Sequence, residues 1–211
     1  ESMQDTLMKA DGVAVIFIGI AGALSKMLVI KGGTIDTTGT IMMIISLSLG
    51  AIVGEMLDLD GKMIHFGEWL KIKTGNAKDK KFVDGFVTAS LTVCIGAMAV
   101  VGSIEDGIHA DHSILFAKAI LDFVIILVMS ATLGKGCLFS FVPVGLFQGT
   151  ITLLASLISP FITASAMSAL SYIGSILIFC VGVNLVFNTK IRVANLLPAL
   201  IVACICTVFP L

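Results

Sequence analysis

The chain has 211 residues, of which 57% are hydrophobic and only 13% are charged, and its mean hydropathy is +1.09. Soluble domains carry about 25% charged residues, so the composition excludes an ordinary soluble domain and indicates a membrane protein. The net charge of −1, without a run of Lys or Arg interleaved with aromatic residues, gives no indication of nucleic-acid binding.

Seven apolar segments are each close to the roughly 20 residues that cross a bilayer as a helix. Helix is the expected form because lipid cannot satisfy backbone polar groups. The predicted fold is therefore all-α, a polytopic transmembrane helical bundle that forms a single membrane domain over residues 1–211. In chain order the predicted spans are 13–30, 39–57, 83–104, 113–133, 137–159, 167–187 and 193–210.

Lysines concentrate in one polar stretch and so predict an orientation. Residues 58–81 contain six lysines, whereas 105–112 contains neither Lys nor Arg. Because cytoplasmic loops carry the excess of Lys and Arg, 58–81 is predicted to be cytoplasmic and 105–112 external. Lys26 and Lys31 lie near the predicted outer side and are the exceptions.

The segment KMIHFGEWLKI (62–72) within the cytoplasmic stretch has apolar residues at helical spacing. We expect an amphipathic helix on the inner membrane surface, with Trp69 at the level of the lipid headgroups. The same apolar face would suit a protein partner, so both interpretations stay open.

Small residues recur inside the apolar segments. Gly50 and Gly54, and again Gly145 and Gly149, have the spacing that lets two helices approach closely. These Gly faces serve either packing within one bundle or the interface of a homo-oligomer.

Short sequence matches suggest internal repetition. FIG (17–19), CIG (94–96) and CVG (180–182) lie mid-span, and GTI occurs at 39–41 and 149–151. In the predicted topology the spans that contain 17–19 and 180–182 run in opposite directions. Inverted repeats of this kind are common in secondary transporters, whose sites lie near the bilayer midplane.

The segment LFAKAILDFVIILVMSA (115–131) is almost continuously apolar, yet it contains Lys118 and Asp122 one helical turn apart. A charge at the centre of a membrane helix costs about 2.5–3.5 kcal/mol on insertion scales. The two side chains share a helix face and can pair, although Lys before Asp is the weaker order. The pair is either a structural ion pair or part of a solute or ion pathway. In a pathway, Asp122 would coordinate a cation or proton, and Lys118 would tune it or bind an anion.

The predicted outer loop GSIEDGIHADHS (102–113) is rich in ligating side chains, namely Glu105, Asp106, His109, Asp111 and His112. We expect its carboxylates to collect cations at a pathway mouth. The alternative is a solvated loop in which Asp111 caps the following helix. The spacing fits neither a zinc nor an EF-hand pattern, and no metal site is predicted.

The segment 137–159 contains Pro143, Gly145, Gln148 and Gly149 close together. Because proline removes a backbone donor, we expect an interrupted span with Gln148 facing a cavity. An ordinary proline kink is the alternative.

Asparagines mark the end of the chain. Asn184 lies inside its predicted span, and Asn195 with Pro198 is expected to unwind the start of the last one. Asn side chains at such depths either supply neutral ligands to a pathway or hold helices together by hydrogen bonds.

No motif indicates an enzyme or a cofactor. The sequence contains no HExxH motif, phosphate-binding loop or ordered Ser/His/Asp set. The five cysteines lie in apolar stretches without a CxxC pair, which is typical of buried small apolar residues. We therefore expect neither catalysis nor a bound cofactor.

Several blocks of the sequence resemble the bacterial YdfK/YqgA-type family of uncharacterised inner-membrane proteins, and the resemblance covers nearly the whole chain. It implies a multi-pass protein of the bacterial inner (cytoplasmic) membrane, and it brings no established activity or catalytic residues. The blocks are GEMLDLDGKM (54–63), FVDGFVTASLTVCIGAMAVVGSIEDG (82–107), DHSILFAKAILD (111–122), PVGLFQGTITLLA (143–155) and KIRVANLLPAL (190–200).

Members of that family usually begin with a further glycine-rich hydrophobic segment, so this chain is similar to a member from the second span onward. The GTI at 149–151 would then begin the counterpart of that further segment. A first three-span unit would be paired with the last three spans in opposite orientation.

These features predict a transporter or channel that moves a small, unidentified solute or ion across the lipid bilayer. The alternatives are a membrane scaffold or assembly partner without transport and, with less support, a membrane enzyme. The residues predicted to form the pathway are Lys118, Asp122, Glu105, Asp106, Asp111, Gln148, Asn184 and Asn195.

Overall fold

Helices make up most of the structure. The computed structural model describes residues 2–95, 97–158, 160 and 163–208. Two 3-10 segments, Lys135–Ser140 and Val193–Leu196, lead into α7 and α10, and two short strands, β1 (Leu28–Lys31) and β2 (Thr34–Thr37), follow α1. The helices are α1 (Ser2–Met27), α2 (Thr40–Leu57), α3 (Leu59–Lys73), α4 (Phe82–Cys94), α5 (Ala97–His109), α6 (Ser113–Leu133), α7 (Phe141–Leu153), α8 (Ala155–Ile158), α9 (Ala164–Phe187) and α10 (Pro198–Val208).

Most of the predicted spans correspond to helices of membrane-crossing length. The bent pair of α4 and α5 forms a sixth crossing if it is one span, and the last segment contains only the 11-residue α10. The all-α polytopic bundle is therefore confirmed, while residues 209–210 of the last predicted span lie outside the described part. Among the described residues, five segments are long and apolar enough to cross a membrane: Met8–Met27, Thr40–Leu57, Ser113–Leu133, Lys135–Leu153 and Ala164–Phe187.

The predicted end of the first span is wrong, because the helix stops at Met27 and the chain continues into a β-hairpin. Gly32 and Gly33 form its turn with φ of 59° and 83°, a conformation that glycine adopts without strain. Strands β1 and β2 pair antiparallel around this turn. A Gly-Gly pair between two short β-prone runs is a hairpin signal in the sequence.

The first and ninth helices pack closely in antiparallel directions. A Cβ at Gly19 would lie 2.6 Å from the backbone nitrogen of Phe179, and one at Gly182 would lie 2.7 Å from that of Ile16. Side chains at either glycine would push the helices apart, so these residues permit the contact.

The two candidate Gly faces differ. Gly50 and Gly54 abut the backbone of Ala199 and Asn195, so this face is covered within the chain by α10 and the 3-10 segment before it. Gly145 and Gly149 have no neighbour within 4 Å of an added Cβ. Packing within the bundle occupies the first face, and only the second is open to a homo-oligomer contact.

The amphipathic segment in the lysine-rich stretch 58–81 forms α3, which is slightly longer than the predicted 62–72. Leu70 is buried, while Trp69 is 52% exposed and stacks on Phe66 with 5.8 Å between ring centroids. This half-buried aromatic pair fits a helix at the edge of the bundle, as the amphipathic pattern indicates.

The segment 137–159 is interrupted, as predicted, but not where expected. A 3-10 segment ends at Ser140, α7 continues through Pro143 and both glycines, and a turn at Leu154 separates α7 from α8. Pro143 lies in the first turn of α7, where the missing N–H would have had no helical partner. Ser159 lies outside the described residues.

The sixth helix separates apolar and polar faces. Phe116, Ile120, Phe123 and Leu127 are 57–67% exposed and form a continuous apolar surface. Lipid is the solvent that suits such a surface. Lys118 lies on the opposite, buried face.

Candidate functional site

Lys118 is buried on α6, with 6% of its surface exposed. Its Nζ donates to the carboxylate of Asp122 and, over 2.8 Å, to the backbone carbonyl of Val93 in α4. The two charged residues of the apolar helix therefore pair with each other. The ammonium also ties α6 to a second helix through a backbone group.

Val93 belongs to the last turn of a helix that stops inside the predicted third span. The prediction of one continuous span over 83–104 is wrong: α4 ends at Cys94, Ile95 is extended, and α5 departs at 63° to α4. Gly96 lies outside the described residues.

The helix end explains the position of the lysine. The last carbonyls of a helix lack intrahelical partners, and together they carry a partial negative charge. The Lys118 ammonium satisfies one of them and places a full positive charge at that end. The Lys118 ammonium thus provides the hydrogen bond that lipid could not give to the free carbonyl at the break.

Asp122 opens onto a pocket of about 410 Å³ between α4, α6 and α7. Its wall is largely apolar, with Asp122, Ser130 and Ser140 as the polar side chains. The side chain of Asp122 is 21% exposed, against 8% for Lys118. The carboxylate is therefore the accessible member of the pair.

The outer charged residues pair locally. The prediction that 105–112 is a loop is wrong in its first part, because α5 continues to His109. His109 Nδ1 lies 2.7 Å from the Glu105 carboxylate, and His112 contacts Asp106. Asp106 also accepts a hydrogen bond from Thr152 of α7 at 3.4 Å. Asp106 thus joins the end of α5 to the end of α7.

Asp111 caps α6, as its position predicts. Its Oδ1 accepts from the backbone N–H of Ser113 over 2.9 Å and from the Ser113 hydroxyl. These hydrogen bonds hold the pKa of Asp111 below its usual value. Among the residues that the structure describes, no group of three or more His, Cys, Asp or Glu is arranged to bind a metal ion.

Gln148 lies on α7 and does not line the Asp122 pocket, although Val144 one turn earlier does. Its Nε2 is buried and makes no hydrogen bond to the described protein atoms. The structure therefore leaves a buried amide donor near the pocket without bringing it to Asp122.

Asn184 holds a loop rather than facing the pocket. Its Oδ1 accepts from the Ile191 N–H at 3.0 Å and from the Thr189 hydroxyl at 2.7 Å, and its Nδ2 donates to the Ile191 carbonyl at 2.8 Å. All three of these hydrogen bonds serve the 188–192 connection.

Asn195 is buried in the 3-10 segment that unwinds the start of the last span, as predicted. Its Nδ2 donates to Glu55 at 2.6 Å, and its Oδ1 accepts from the Asp60 N–H at 2.8 Å in the first turn of α3. Glu55 also accepts from Arg192 at 2.6 Å. This hydrogen-bonded group of Glu55, Asp60, Arg192 and Asn195 joins α2, α3 and the segment before α10.

Burial raises the pKa of Asp60 within this group, and the Arg192 guanidinium opposes the rise. The group lies beside the lysine-rich stretch, so 58–81 and 188–195 share one side of the bundle. Asp106 and Thr152 meet near the carboxyl ends of α5 and α7.

The structure thus separates the predicted pathway residues into three regions. Lys118 and Asp122 lie together at the broken helix, Glu105, Asp106 and Asp111 lie around the connection from α5 to α6, and Asn184 and Asn195 lie with the segment 188–195. Gln148 lies on α7, outside these three regions. Sequence reasoning missed Val93, because its contribution is a backbone carbonyl, and it did not select Glu55 as a candidate. The sequence offered one signal for Glu55: a carboxylate that directly follows Gly54, a residue of the predicted close-packing Gly face.

Exposed apolar helices of membrane-crossing length, a broken helix and a buried ion pair define a multi-pass α-helical membrane protein. A model of the family described as "Protein of unknown function (DUF554)" matches residues 1–208. The chain therefore belongs to the DUF554 family.

Two relatives are similar to the chain over nearly its whole length. The chain is 28% identical over 203 residues to "Uncharacterized membrane protein YdfK" of Bacillus subtilis (strain 168), covering 96% of this chain and 82% of the relative. It is 27% identical over 207 residues to "Uncharacterized protein YqgA" of Escherichia coli (strain K12), covering 96% and 83%. No solved structure matches significantly.

Proposed function

We propose that the protein moves a small solute or ion across the bacterial inner membrane. The observation that carries the proposal is the Lys118–Asp122 pair at the end of α4, with the carboxylate facing a pocket. Intramembrane ionisable residues commonly belong to solute or ion pathways, and broken helices expose backbone groups at the substrate and ion sites of transporters.

The outer carboxylates support a path for charge. Glu105, Asp106 and Asp111 lie at the end of the bundle away from the lysine-rich stretch, which we place in the cytoplasm. A concentration of negative charge raises the local concentration of cations at a mouth.

Helix pairing supports an inverted-repeat architecture. The first and ninth helices pair antiparallel, and so do α2 and α10, through Gly19, Gly182 and Gly50. In an inverted repeat, α1 would correspond to α9 and α2 to α10, each pair running in opposite directions. The observed pairs are the ones that this correspondence predicts.

A non-enzymatic scaffold or homo-oligomeric assembly partner is the second candidate. The observation that favours it is the open face of α7 at Gly145 and Gly149. In that case Lys118 and Asp122 would serve only to hold α6 against α4.

Variants of the ion pair separate the two candidates. Asp122→Asn keeps an acceptor for Lys118 and costs less to bury than a charge, so a pathway predicts an inserted, folded protein that no longer conducts. A purely structural pair predicts instead that Lys118→Met alone destabilises the fold by several kcal/mol, and that Lys118→Met with Asp122→Leu restores stability and activity together.

Solute movement can be followed by light scattering of proteoliposomes that are challenged with sodium gluconate, potassium gluconate, choline chloride or glycerol. Wild-type flux of at least one probe, lost in Asp122→Asn and in the double variant, is the expected result. A double variant with full flux would contradict the pathway.

A further inference from the structure

We infer that α3 and α7 form a binding site for an acidic phospholipid, with an acyl chain in the groove between the two helices and the phosphate at lysines of α3. This inference goes beyond the proposed function and does not depend on transport. It is carried by an apolar groove, an aromatic pair beside the groove and a lysine at each end of that pair.

The groove between α3 and α7 has a volume of about 560 Å³ and an almost wholly apolar wall. Its one polar side chain, the Thr150 hydroxyl, donates to the Leu146 carbonyl at 2.6 Å and is therefore already satisfied. Over residues 143–151 the helix rises about 12 Å, so the groove suits an extended hydrocarbon chain. The lining residues are Phe66, Pro143, Leu146, Phe147, Thr150 and Ile151.

An aromatic pair lies beside the groove. Phe66 lines it and stacks on Trp69, which remains about half exposed. Tryptophan is enriched at the level of the lipid headgroups, because its ring is apolar and its N–H is polar. Trp69 therefore marks the end of the groove at which a lipid headgroup would lie.

The helical register places a lysine on each side of this pair. Lys62, Phe66, Trp69 and Lys73 follow each other at i, i+4, i+7 and i+11, so they share one face of α3. Both lysines are exposed, and within the described part of the chain no ion pair engages either one. Lysine can lay its stem along apolar surface and hold its ammonium in the headgroup region.

Charge complementarity selects an anionic headgroup for this face. By the same register, the carboxylates of α3, Asp60 and Glu68, lie on other faces of the helix. Asp58, one turn before Lys62, accepts from the Gly61 N–H at the start of α3. A phosphate that carries a net negative charge gains from both ammonium groups, whereas a zwitterionic headgroup brings a cation of its own.

Trp69 is the only tryptophan in the chain, so its fluorescence reports on this site alone. The full-chain protein is reconstituted in phosphatidylcholine vesicles with rising fractions of phosphatidylglycerol or phosphatidylcholine that carries brominated acyl chains, which quench indole at close range. We expect phosphatidylglycerol to quench with an apparent affinity about five- to thirtyfold higher, since each nearby lysine favours anionic lipid by about 1 kcal/mol.

Salt should weaken this preference, because the Debye length shrinks from about 10 Å at 0.1 M to about 3 Å at 1 M. Equal quenching by the two lipids overturns the inference. Quenching by neither lipid would mean that protein, such as a second copy of this chain, covers the groove, and it overturns the inference as well.

Lysine variants locate the headgroup. Lys62→Gln with Lys73→Gln should bring the ratio of the two affinities close to one. Lys78→Gln with Lys80→Gln is the matched control, because it removes the same charge from the same lysine-rich stretch outside α3, and it should keep most of the preference. Equal losses in both double variants would mean that general surface charge attracts the lipid, and would overturn the site.

A groove variant locates the acyl chain. Thr150→Phe fills the groove with a phenyl ring, so the preference should be lost although both lysines remain. Leu153→Phe is the control, because Leu153 is exposed on α7 and does not line the groove. A preference that survives Thr150→Phe overturns the placement of the chain in the groove.

Inorganic phosphate distinguishes a lipid from a free anion. Sodium phosphate added to the protein in phosphatidylcholine vesicles should leave the Trp69 fluorescence unchanged, since the free ion has no chain to occupy the groove. A response to phosphate that disappears in the variant with Lys62→Gln and Lys73→Gln would assign the lysines to a free anion and overturn the inference.

Discussion

Gly54 of α2 lies directly against the backbone carbonyl of Asn195, so closely that a Cβ at position 54 would overlap the carbonyl oxygen. The same stretch of backbone carries the Asn195 side chain to Glu55 and to the start of α3. Because Gly54 has no side chain, the backbone of Asn195 can approach α2, and the Asn195 amide can then bind Glu55 at the next position.

Gly54→Ala is therefore expected to destabilise the protein. The methyl group cannot fit without moving the 3-10 segment, and overpacking of this kind costs about 1–3 kcal/mol. Thermal unfolding in detergent measures the effect. Gly149→Ala is the matched control, because its added Cβ meets nothing within 4 Å and alanine is the better helix former by about 1 kcal/mol. Equal losses in both variants would contradict the packing argument.

Asn195 and Arg192 should differ in their contribution to stability, although both bind Glu55. Asn195 is 3% exposed, and Asn195→Ala removes its buried amide and leaves the Asp60 N–H without its partner, at a cost of about 1–3 kcal/mol. Arg192 is exposed and its ion pair is solvated, so Arg192→Ala should cost about 0–1 kcal/mol. Thermal unfolding of the two variants gives the comparison. A larger loss for Arg192→Ala would show that the ion pair, not the buried amide, holds the segment.

Asp60→Asn is expected to stabilise the protein at neutral pH. Burial raises the folded-state pKa of Asp60 above its unfolded value of 3.8, so the ionised carboxylate disfavours the folded state. That penalty is fully present above the raised pKa and is relieved as the pH falls through it. The stability difference between variant and wild type should shrink towards pH 4 and disappear below the unfolded pKa. A variant that is less stable than the wild type at neutral pH would mean that attraction to Arg192 outweighs burial.

Lys78→Cys and His109→Cys test the orientation of the bundle. In a cysteine-free background, an impermeant thiol reagent added to whole cells should label position 109 and leave position 78 unlabelled until the cells are opened. The reason is the excess of lysines in 58–81 over 105–112. Labelling of position 78 from outside would reverse the assignment.

Local sequence was sufficient for the helices whose signal is a long apolar run. The span 113–133 coincides with α6, and 39–57 differs from α2 by one residue, because continuous hydrophobicity and backbone satisfaction both depend on neighbours in sequence. The cap by Asp111 and the unwound start of the last span were also predictable, since short side chains and proline act on backbone within a few residues.

The break in the third span was not predictable from hydropathy, because the residues on both sides of it are mostly apolar. The helix can end at Cys94 because Lys118, 25 residues away in the chain, donates to the carbonyl of Val93. The i,i+4 spacing was enough to predict that Lys118 pairs with Asp122. The pocket that Asp122 faces could not be predicted in this way, because it forms only when α4, α6 and α7 come together.

The sequence by itself determined the class of protein, the approximate spans and the presence of two charges within an apolar helix. Hydrophobicity and charge are properties of single residues and of their near neighbours, and the cost of placing them in lipid is independent of the rest of the fold. Tertiary structure alone decided which asparagines hold loops, which Gly face is covered and which oxygens surround Lys118. Those outcomes depend on backbone atoms from distant segments, whose positions are set only when the helices pack.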